Sequence, residues 1–437
     1  MKLLNLSKTK IIYLKNTAWL LFEKLFRMGI VLGINVLLAR YLGVSDFGFL
    51  AYSLSLLSTV MIFTHLGLAG VVIKELVLKK YESNLILATV FYLKLVGAIL
   101  GFFILIIVDF TTESIGSINF YILLIISLSI FFKPFSVIES YFLANVEAKY
   151  ISISTTISLI ITTLLKVIFM ILSLNFIWIA FTYLIENFLI ALNLLLIYFN
   201  RTKIFIGKWN FSLSLSKELL SKSWMIMLGS FFATIYLKSD QIMIKWILGN
   251  QEVGIYAVAS SLSEVWYFLP SIIVTSLFPK IIEYRESNQE FFYLKFQQLL
   301  NILFIIALSI AIIVTFISKD VILFLYGSQY AESGIILSIH IWAGLFIFMR
   351  EAFSKWIIME DLLHFSIITH GLGMLLNIGL NLLLIPNYGI IGAAIATIVS
   401  YAMASYISLL FFKKTRIIFY MMTKAIFFPF YMRRKNA

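Results

Sequence analysis

Apolar residues fill this chain in runs of about twenty, separated by short polar or glycine-bearing stretches. A helix rises 1.5 Å per residue, so about 20 mostly apolar residues cross a hydrocarbon layer about 30 Å thick. Twelve such runs can be placed, at 17–39, 47–70, 84–107, 118–141, 151–173, 177–199, 223–247, 254–279, 297–317, 335–358, 365–386 and 390–412. In lipid a backbone amide finds partners only within its own helix or in a closed barrel. Long apolar runs with short connectors therefore predict an all-α integral membrane protein. The longest polar connector, 200–222, divides the chain into an N-terminal six-helix half (1–199), a linker (200–222), a C-terminal six-helix half (223–412) and a basic tail (413–437).

The two halves echo each other. Residues 40–55 read RYLGVSDFGFLAYSLS and residues 246–261 read WILGNQEVGIYAVASS. At an offset of 206, Gly43 falls on Gly249, Asp46 on Glu252, Gly48 on Gly254 and Ala51 on Ala257. A weaker echo pairs Leu174-Asn175-Phe176 with Pro386-Asn387-Tyr388. Six spans is an even number, so the halves share an orientation and their pseudo-symmetry axis runs along the membrane normal. Two six-helix bundles around a central cleft is an architecture for alternating access. Two GxxxG pairs, Gly29/Gly33 and Gly97/Gly101, predict close helix approach.

Composition agrees with the pattern. Hydrophobic residues make up 62% of 437 positions, charged residues 13%, and mean hydropathy is +1.01. The net charge of +13 comes largely from connectors. Lys2, Lys8, Lys10 and Lys15 precede the first span, Lys74, Lys79 and Lys80 lie in the next loop on that side, and Arg201, Lys203, Lys208, Lys217 and Lys222 lie in the linker. The tail carries Lys413, Lys414, Arg416, Lys424, Arg433, Arg434 and Lys435, while the opposite side offers Arg40 and Lys319. Basic loops stay cytoplasmic, which predicts both termini inside and explains the basic balance without nucleic acid. The first span lacks the short apolar stretch and small-residue cleavage site of a signal peptide and is expected to stay. There is no cysteine, hence no disulfide, thiolate metal site or cysteine nucleophile, and no GxxxxGK[ST] phosphate loop. His364 and His370 are too isolated for a metal site, and no cofactor is expected.

Charges inside the spans are the informative exceptions, because an ionisable group in hydrocarbon is costly. Eight are cations: Lys24, Arg27, Lys94, Lys133, Lys166, Lys238, Lys245 and Arg350. Six are carboxylates: Glu23, Glu139, Glu186, Asp240, Glu264 and Glu351. Glu23 and Arg27 are one turn apart and can pair. Lys238 and Asp240 are two apart and must seek different partners. Polar stripes run along helix faces at Thr155, Ser158, Thr162 and Lys166, at His370, Asn377 and Asn381, and at Ser260 and Glu264. The hydroxyls read best as interhelical packing glue. Lys166, Asp240 and Glu264 read best as lining a hydrated cavity, since a buried charge needs water or a partner. Lys24 and Lys245 lie near span ends and can snorkel to the interface.

The run NTAWLLFEKLFRMGIVLGINVLLARYLGVSDFGFLAYSLSLLS (16–58), and within it the element from Arg40 to Gly48, resembles the opening of polysaccharide exporters of the Wzx flippase type. These belong to the multidrug/oligosaccharidyl-lipid/polysaccharide exporter superfamily. SDQIMIKWILGNQEVGIYAVASSLSE (239–264) and NYGIIGAAIAT (387–397) resemble later parts of the same family. The resemblance implies an inner-membrane flippase, not an enzyme. It would carry undecaprenyl-diphosphate-linked repeat units to the periplasmic leaflet for O-antigen lipopolysaccharide, capsule or another exopolysaccharide. Its partners would be the lipid-linked oligosaccharide, membrane lipid, a glycan polymerase and a chain-length regulator. An anionic diphosphate needs cations along its path. Arg27, Lys94, Lys166 and Arg350, with Lys133 and Lys238, are the candidates; Asp240, Glu264 and Glu186 are candidate ion-coupling groups. The alternatives are a drug/cation antiporter of the same superfamily, a peptidoglycan-precursor flippase, and a membrane polymerase or glycosyltransferase. The antiporter would favour carboxylates. The enzyme would need a large outer loop, whereas the longest here, around 318–334, holds only Lys319, Asp320 and Glu332 as charges.

Overall fold

A computed structural model describes residues 8–203 and 210–435. Lys2 and Lys208, counted above among the loop cations, lie outside the described residues. The described chain is helical, without a strand. It contains ten helical stretches long and apolar enough to cross a membrane. Two of these, Asn16–Leu78 and His364–Phe411, have length for two passes, and each is broken at a glycine in a positive-φ conformation, Gly43 (φ 75°) and Gly389 (φ 58°). The twelve apolar runs of the sequence thus fall within ten continuous stretches. A glycine without Cβ lets the chain turn while its hydrogen-bonded run barely stops.

The chain forms two compact units, one from the described residues of Met1–Leu42 and Leu56–Ser230, the other from those of Gly43–Ser55 and Phe231–Ala437. The first unit uses most of α1 (Lys8–Val60), then α2 (Ile62–His65), α3 (Leu68–Leu78), α4 (Ser83–Thr112), α5 (Ile118–Leu128), α6 (Val137–Ala144), α7 (Ala148–Ile171), α8 (Phe176–Thr202) and the start of α9 (Leu213–Ile247). Its core joins Leu68 and Val72 of α3, Ile86 and Val90 of α4, Ile138 and Phe142 of α6, Leu194 and Tyr198 of α8, and Leu215 and Leu219 of α9. Between α5 and α6 the helix tightens into a 3-10 stretch, Ser129–Ser136, around the buried Pro134. Proline has no N–H to donate, and a tightened turn is a common response.

The second unit contains residues 43–55 of α1, the rest of α9, α10 (Asn250–Glu264), α11 (Phe268–Ser287), α12 (Gln289–Tyr326), α13 (Ser333–His340), α14 (Gly344–Met359), α15 (His364–Ser405) and α16 (Arg416–Lys435). The linker is shorter than its polarity implies, because α9 is already helical at Leu213. Its first turns are amphipathic, burying Leu215 and Leu219 while Glu218 takes Lys80, Tyr81 and Lys222.

The glycines separate into two kinds. A Cβ on Gly97 would lie 1.7 Å from the Phe63 carbonyl oxygen, and one on Gly101 would lie 2.8 Å from Ile130 Cδ1. That pair permits close approach, as expected. Gly29 and Gly33 have nothing within 4 Å of the Cβ position, so the first GxxxG pair makes no such contact. The repeated element shows its symmetry directly. Gly43 and Gly249 both have positive φ, 75° and 106°. A Cβ on Gly48 would lie 1.9 Å from the Asn250 oxygen, and one on Gly254 would lie 2.1 Å from the Val44 oxygen. At the offset of 206, Val44 is the counterpart of Asn250, so the contact is reciprocal within this unit.

Candidate functional site

Charged groups gather inside the membrane-spanning part of each unit. In the first unit, Arg27 Nε donates to Glu23 one turn earlier at 2.7 Å, and its Nη1 donates to Glu186 of α8 at 3.4 Å. Lys166 of α7 approaches the other Glu186 oxygen at 3.9 Å and sets its ammonium 4.1 Å from the centre of the Tyr183 ring. Lys94 of α4 is 3% exposed and donates to Ser136 Oγ at 2.8 Å, which donates to the Lys133 carbonyl at 2.7 Å. The 3-10 stretch brings Lys133 and Ser136 to this place, and Glu139 follows on α6. Glu139 faces Lys94, Lys133, Arg27 and Glu23.

Four of these residues, Arg27, Lys133, Ser136 and Glu139, border a cavity of about 340 Å³, whose polar wall is completed by His65, Thr155 and Asn187. That volume suits a small ligand or part of a larger one. Four cations (Arg27, Lys94, Lys133, Lys166) stand against three carboxylates (Glu23, Glu139, Glu186). The balance is slightly positive. Such a site can attract an anion without holding it as an unopposed cation cluster would.

The second unit is organised around a carboxylate. Asp240 of α9 is 3% exposed. Its Oδ1 accepts from Asn377 Nδ2 at 3.0 Å and Asn381 Nδ2 at 2.6 Å. Its Oδ2 accepts from Tyr256 at 2.8 Å and from Thr397. Four neutral donors from α10 and both segments of α15 thus hold one negative charge, which is how a buried carboxylate is kept in a low dielectric. Lys238, two residues earlier, turns away and pairs with Glu264 of α10 at 3.2 Å. Arg350 of α14, 6% exposed, is bound by Thr369 at 3.0 Å, His370 Nε2 at 2.7 Å and the Ala404 carbonyl, and its guanidinium lies 5.3 Å from the centre of the Phe353 ring. None of these partners is a carboxylate.

Residues 13–285, well over half the chain, match the family described as polysaccharide biosynthesis protein. The chain belongs to that family. This family member is also similar to a probable flippase, AglR, of Haloferax volcanii, at 29% identity over 168 residues. The match covers 36% of this chain and 34% of the relative, about a third of its length. Its fold matches that of the lipid II flippase MurJ in an inward closed conformation, with a TM-score of 0.72 and 18% identity, over 95% of this chain and 92% of that one. It equally matches an inward-facing multidrug resistance MATE transporter of the MOP superfamily, with a TM-score of 0.72 and 13% identity, over 91% and 95% of the two chains. The polysaccharide biosynthesis family member is therefore a multi-pass membrane protein with the fold of the MurJ and MATE transporters.

The sequence-predicted residues fall into three placements in this family member. Arg27, Lys94, Lys133, Lys166 and Glu186 come together in the first unit. Lys238, Asp240 and Glu264 are neighbours in the second unit, and His340 faces all three. Arg350 lies apart from that group, against His370. The stripe on α15 is the face that holds both charges, with His370 on Arg350 and Asn377 and Asn381 on Asp240. On α7, Thr155, Ser158 and Thr162 bond back to their own helix, and Ser158 also takes Asn193. Lys24 is exposed, and Lys245 lies 5.5 Å from the Phe49 ring centre. Sequence reading did not single out Ser136, Tyr183, Tyr256 or Thr397, whose residue types are too common in such spans to signal a role. It also missed Glu75 and Asp109, both buried just beyond the apolar runs because α3 and α4 extend past them.

Proposed function

We propose that this protein flips a polyprenyl-diphosphate-linked oligosaccharide from the cytoplasmic to the periplasmic leaflet of a bacterial inner membrane, where a polymerase and chain-length regulator would receive it. The observation that carries this reading is the cavity of the first unit. Arg27 and Lys133 stand on its wall, and Lys94 is fixed to the wall through Ser136. A diphosphate is recognised by charge-assisted hydrogen bonds from such groups. Neighbouring Glu139 and Glu186 oppose them, and a carrier must release what it binds. Lys166, held by Glu186, and Arg350 and Lys238 in the second unit are secondary contacts. The reading needs no bond-making step. Family membership and the resemblance to a probable flippase support it. A drug/cation antiporter shares the fold, but this wall sets cations where an organic cation would be repelled.

The energy would come from an ion gradient or the membrane potential, worth about 2.3 kcal/mol per charge per 100 mV. Asp240 is the first choice for the coupling group, with Glu264 and Glu186 behind it. Deleting the gene in its host should accumulate lipid-linked repeat units at the cytoplasmic leaflet. A plasmid copy should clear them, and a copy with Arg27→Gln and Lys133→Gln should clear them at least roughly tenfold more slowly, the scale of one lost charge-assisted contact. Normal surface glycan in the deletion strain, with no second flippase present, would sink the reading. Asp240→Asn should lose dependence on an imposed gradient while keeping flux down a substrate gradient.

A further inference from the structure

The last helix, α16, is built unlike the others. It is 20 residues long and has Lys424 and Pro429 inside it. One face is buried in the second unit's core through Ile418, Met421, Met422 and Ala425. The opposite stripe exposes Ile417, Tyr420 and Phe427, with Tyr420 at 55%, and sets Arg416 and Lys424 among them. Lys413 and Lys414, just before the helix, are exposed as well. No acidic residue occurs anywhere in 362–437.

The depth of α16 is fixed by a hydrogen bond. The Met421 carbonyl, in the second turn of the helix, accepts from Gln297 Nε2 of α12 at 2.9 Å. Gln297 stands where the apolar run of α12 begins, with the polar Lys295 and Gln298 beside it. The first turns of α16 are therefore level with the start of the apolar run of α12. A helix that offers aromatic and aliphatic side chains mixed with cations at that level fits neither water nor hydrocarbon alone. It fits the headgroup layer, where the rings dip inward and the cations reach phosphate.

We propose that α16 begins at the membrane interface and that its exposed stripe binds anionic phospholipid headgroups of the leaflet facing the basic loops. Charge complementarity selects the occupant, because a stripe with cations and no carboxylate on its own helix gains from anionic over zwitterionic lipid. Bound in this way, the helix ties α12 of the second unit to the membrane surface. The proposal does not depend on what the protein transports.

The chain has no cysteine, so a single probe can be placed cleanly. Full-length protein carrying Tyr420→Cys, labelled with bimane and reconstituted in nanodiscs, is exposed to brominated phosphatidylcholine, brominated phosphatidylglycerol or aqueous iodide. The expected result is quenching by shallow brominated lipid, protection from iodide, and at least roughly twofold stronger quenching by the phosphatidylglycerol at equal mole fraction. Adding Lys413→Gln, Lys414→Gln, Arg416→Gln and Lys424→Gln should bring the two lipids level. Iodide quenching without lipid quenching would mean that the stripe faces water. Protection from both would mean that protein covers it. Equal quenching by the two lipids in the chain with its native cations would mean contact without charge selection. Each of these three results overturns the proposal, and none needs the fourfold variant to fold.

Discussion

At the scale of single residues, the two charged groups differ in how they are satisfied. Asp240 is saturated by four donors, whereas the cations of the first unit share three carboxylates, and two of them, Arg27 and Lys133, border open space. Removing the Asp240 carboxylate would take an acceptor from Asn377, Asn381, Tyr256 and Thr397, although Asn381 also reaches Asn377 Oδ1, Thr397 the Ala393 carbonyl, and Tyr256 the Thr397 hydroxyl. Each buried donor left unmade costs about 1–3 kcal/mol. Asp240→Ala should therefore lower the thermal midpoint in detergent by several degrees, and Asp240→Asn, which keeps the shape and two acceptor lone pairs, by less. Equal midpoints for both variants and the native chain would show that the network is not made. Sequence alone identified Asp240 and the α15 stripe as notable, because charge and amide groups are rare in hydrocarbon. It could not join them, since the pairing depends on the rotation and depth of α9 against α15, which neither helix encodes by itself.

At the scale of elements, glycines decide how closely helices approach. Without a hydrophobic force between helices in lipid, backbone contact and van der Waals packing carry association. Gly48 and Gly254 each press against a backbone carbonyl, which cannot yield as a flexible side chain would. Gly48→Ala and Gly254→Ala should each reduce the yield of folded protein markedly, by symmetric amounts. Gly33→Ala meets open space on a helix and should leave the yield unchanged or raise the midpoint slightly, because alanine favours helix by about 0.5–1 kcal/mol. Yields from purification with a fluorescent fusion and the midpoints of the surviving protein check both statements. The repeat at offset 206 was visible in the sequence, and so was the demand for glycine. Which GxxxG pair touches another helix was not, because the spacing is the same for Gly29/Gly33 and Gly97/Gly101. Helix ends were blurred for a related reason: α9 and α12 run past their apolar stretches into polar turns that look like loop until a buried face gives them a partner.

At the scale of the whole molecule, the charge asymmetry of the loops predicts orientation. A single cysteine at Lys414 should react with a membrane-impermeant maleimide only after permeabilisation, and one at Ser328 should react in intact cells. The reverse pattern would invert the topology and with it the proposed direction of transport. By itself the sequence determined that this protein lives in a bilayer, that it is helical, and that it contains a doubled glycine element. Each of these follows from what water and hydrocarbon do to one residue or one segment at a time: apolar runs partition, unpaired amides force helix, and basic loops stay behind. Only the tertiary structure decided which buried charges meet. It set Lys133 and Arg27 on the wall of one cavity with Lys94 tied to that wall through Ser136, closed four donors on Asp240, and gave Arg350 a histidine in place of a carboxylate. Those outcomes rest on distances between helices remote in the chain. Coulomb and hydrogen-bond energies fall off over a few ångströms, so the same charges in the same spans would behave differently under any other packing.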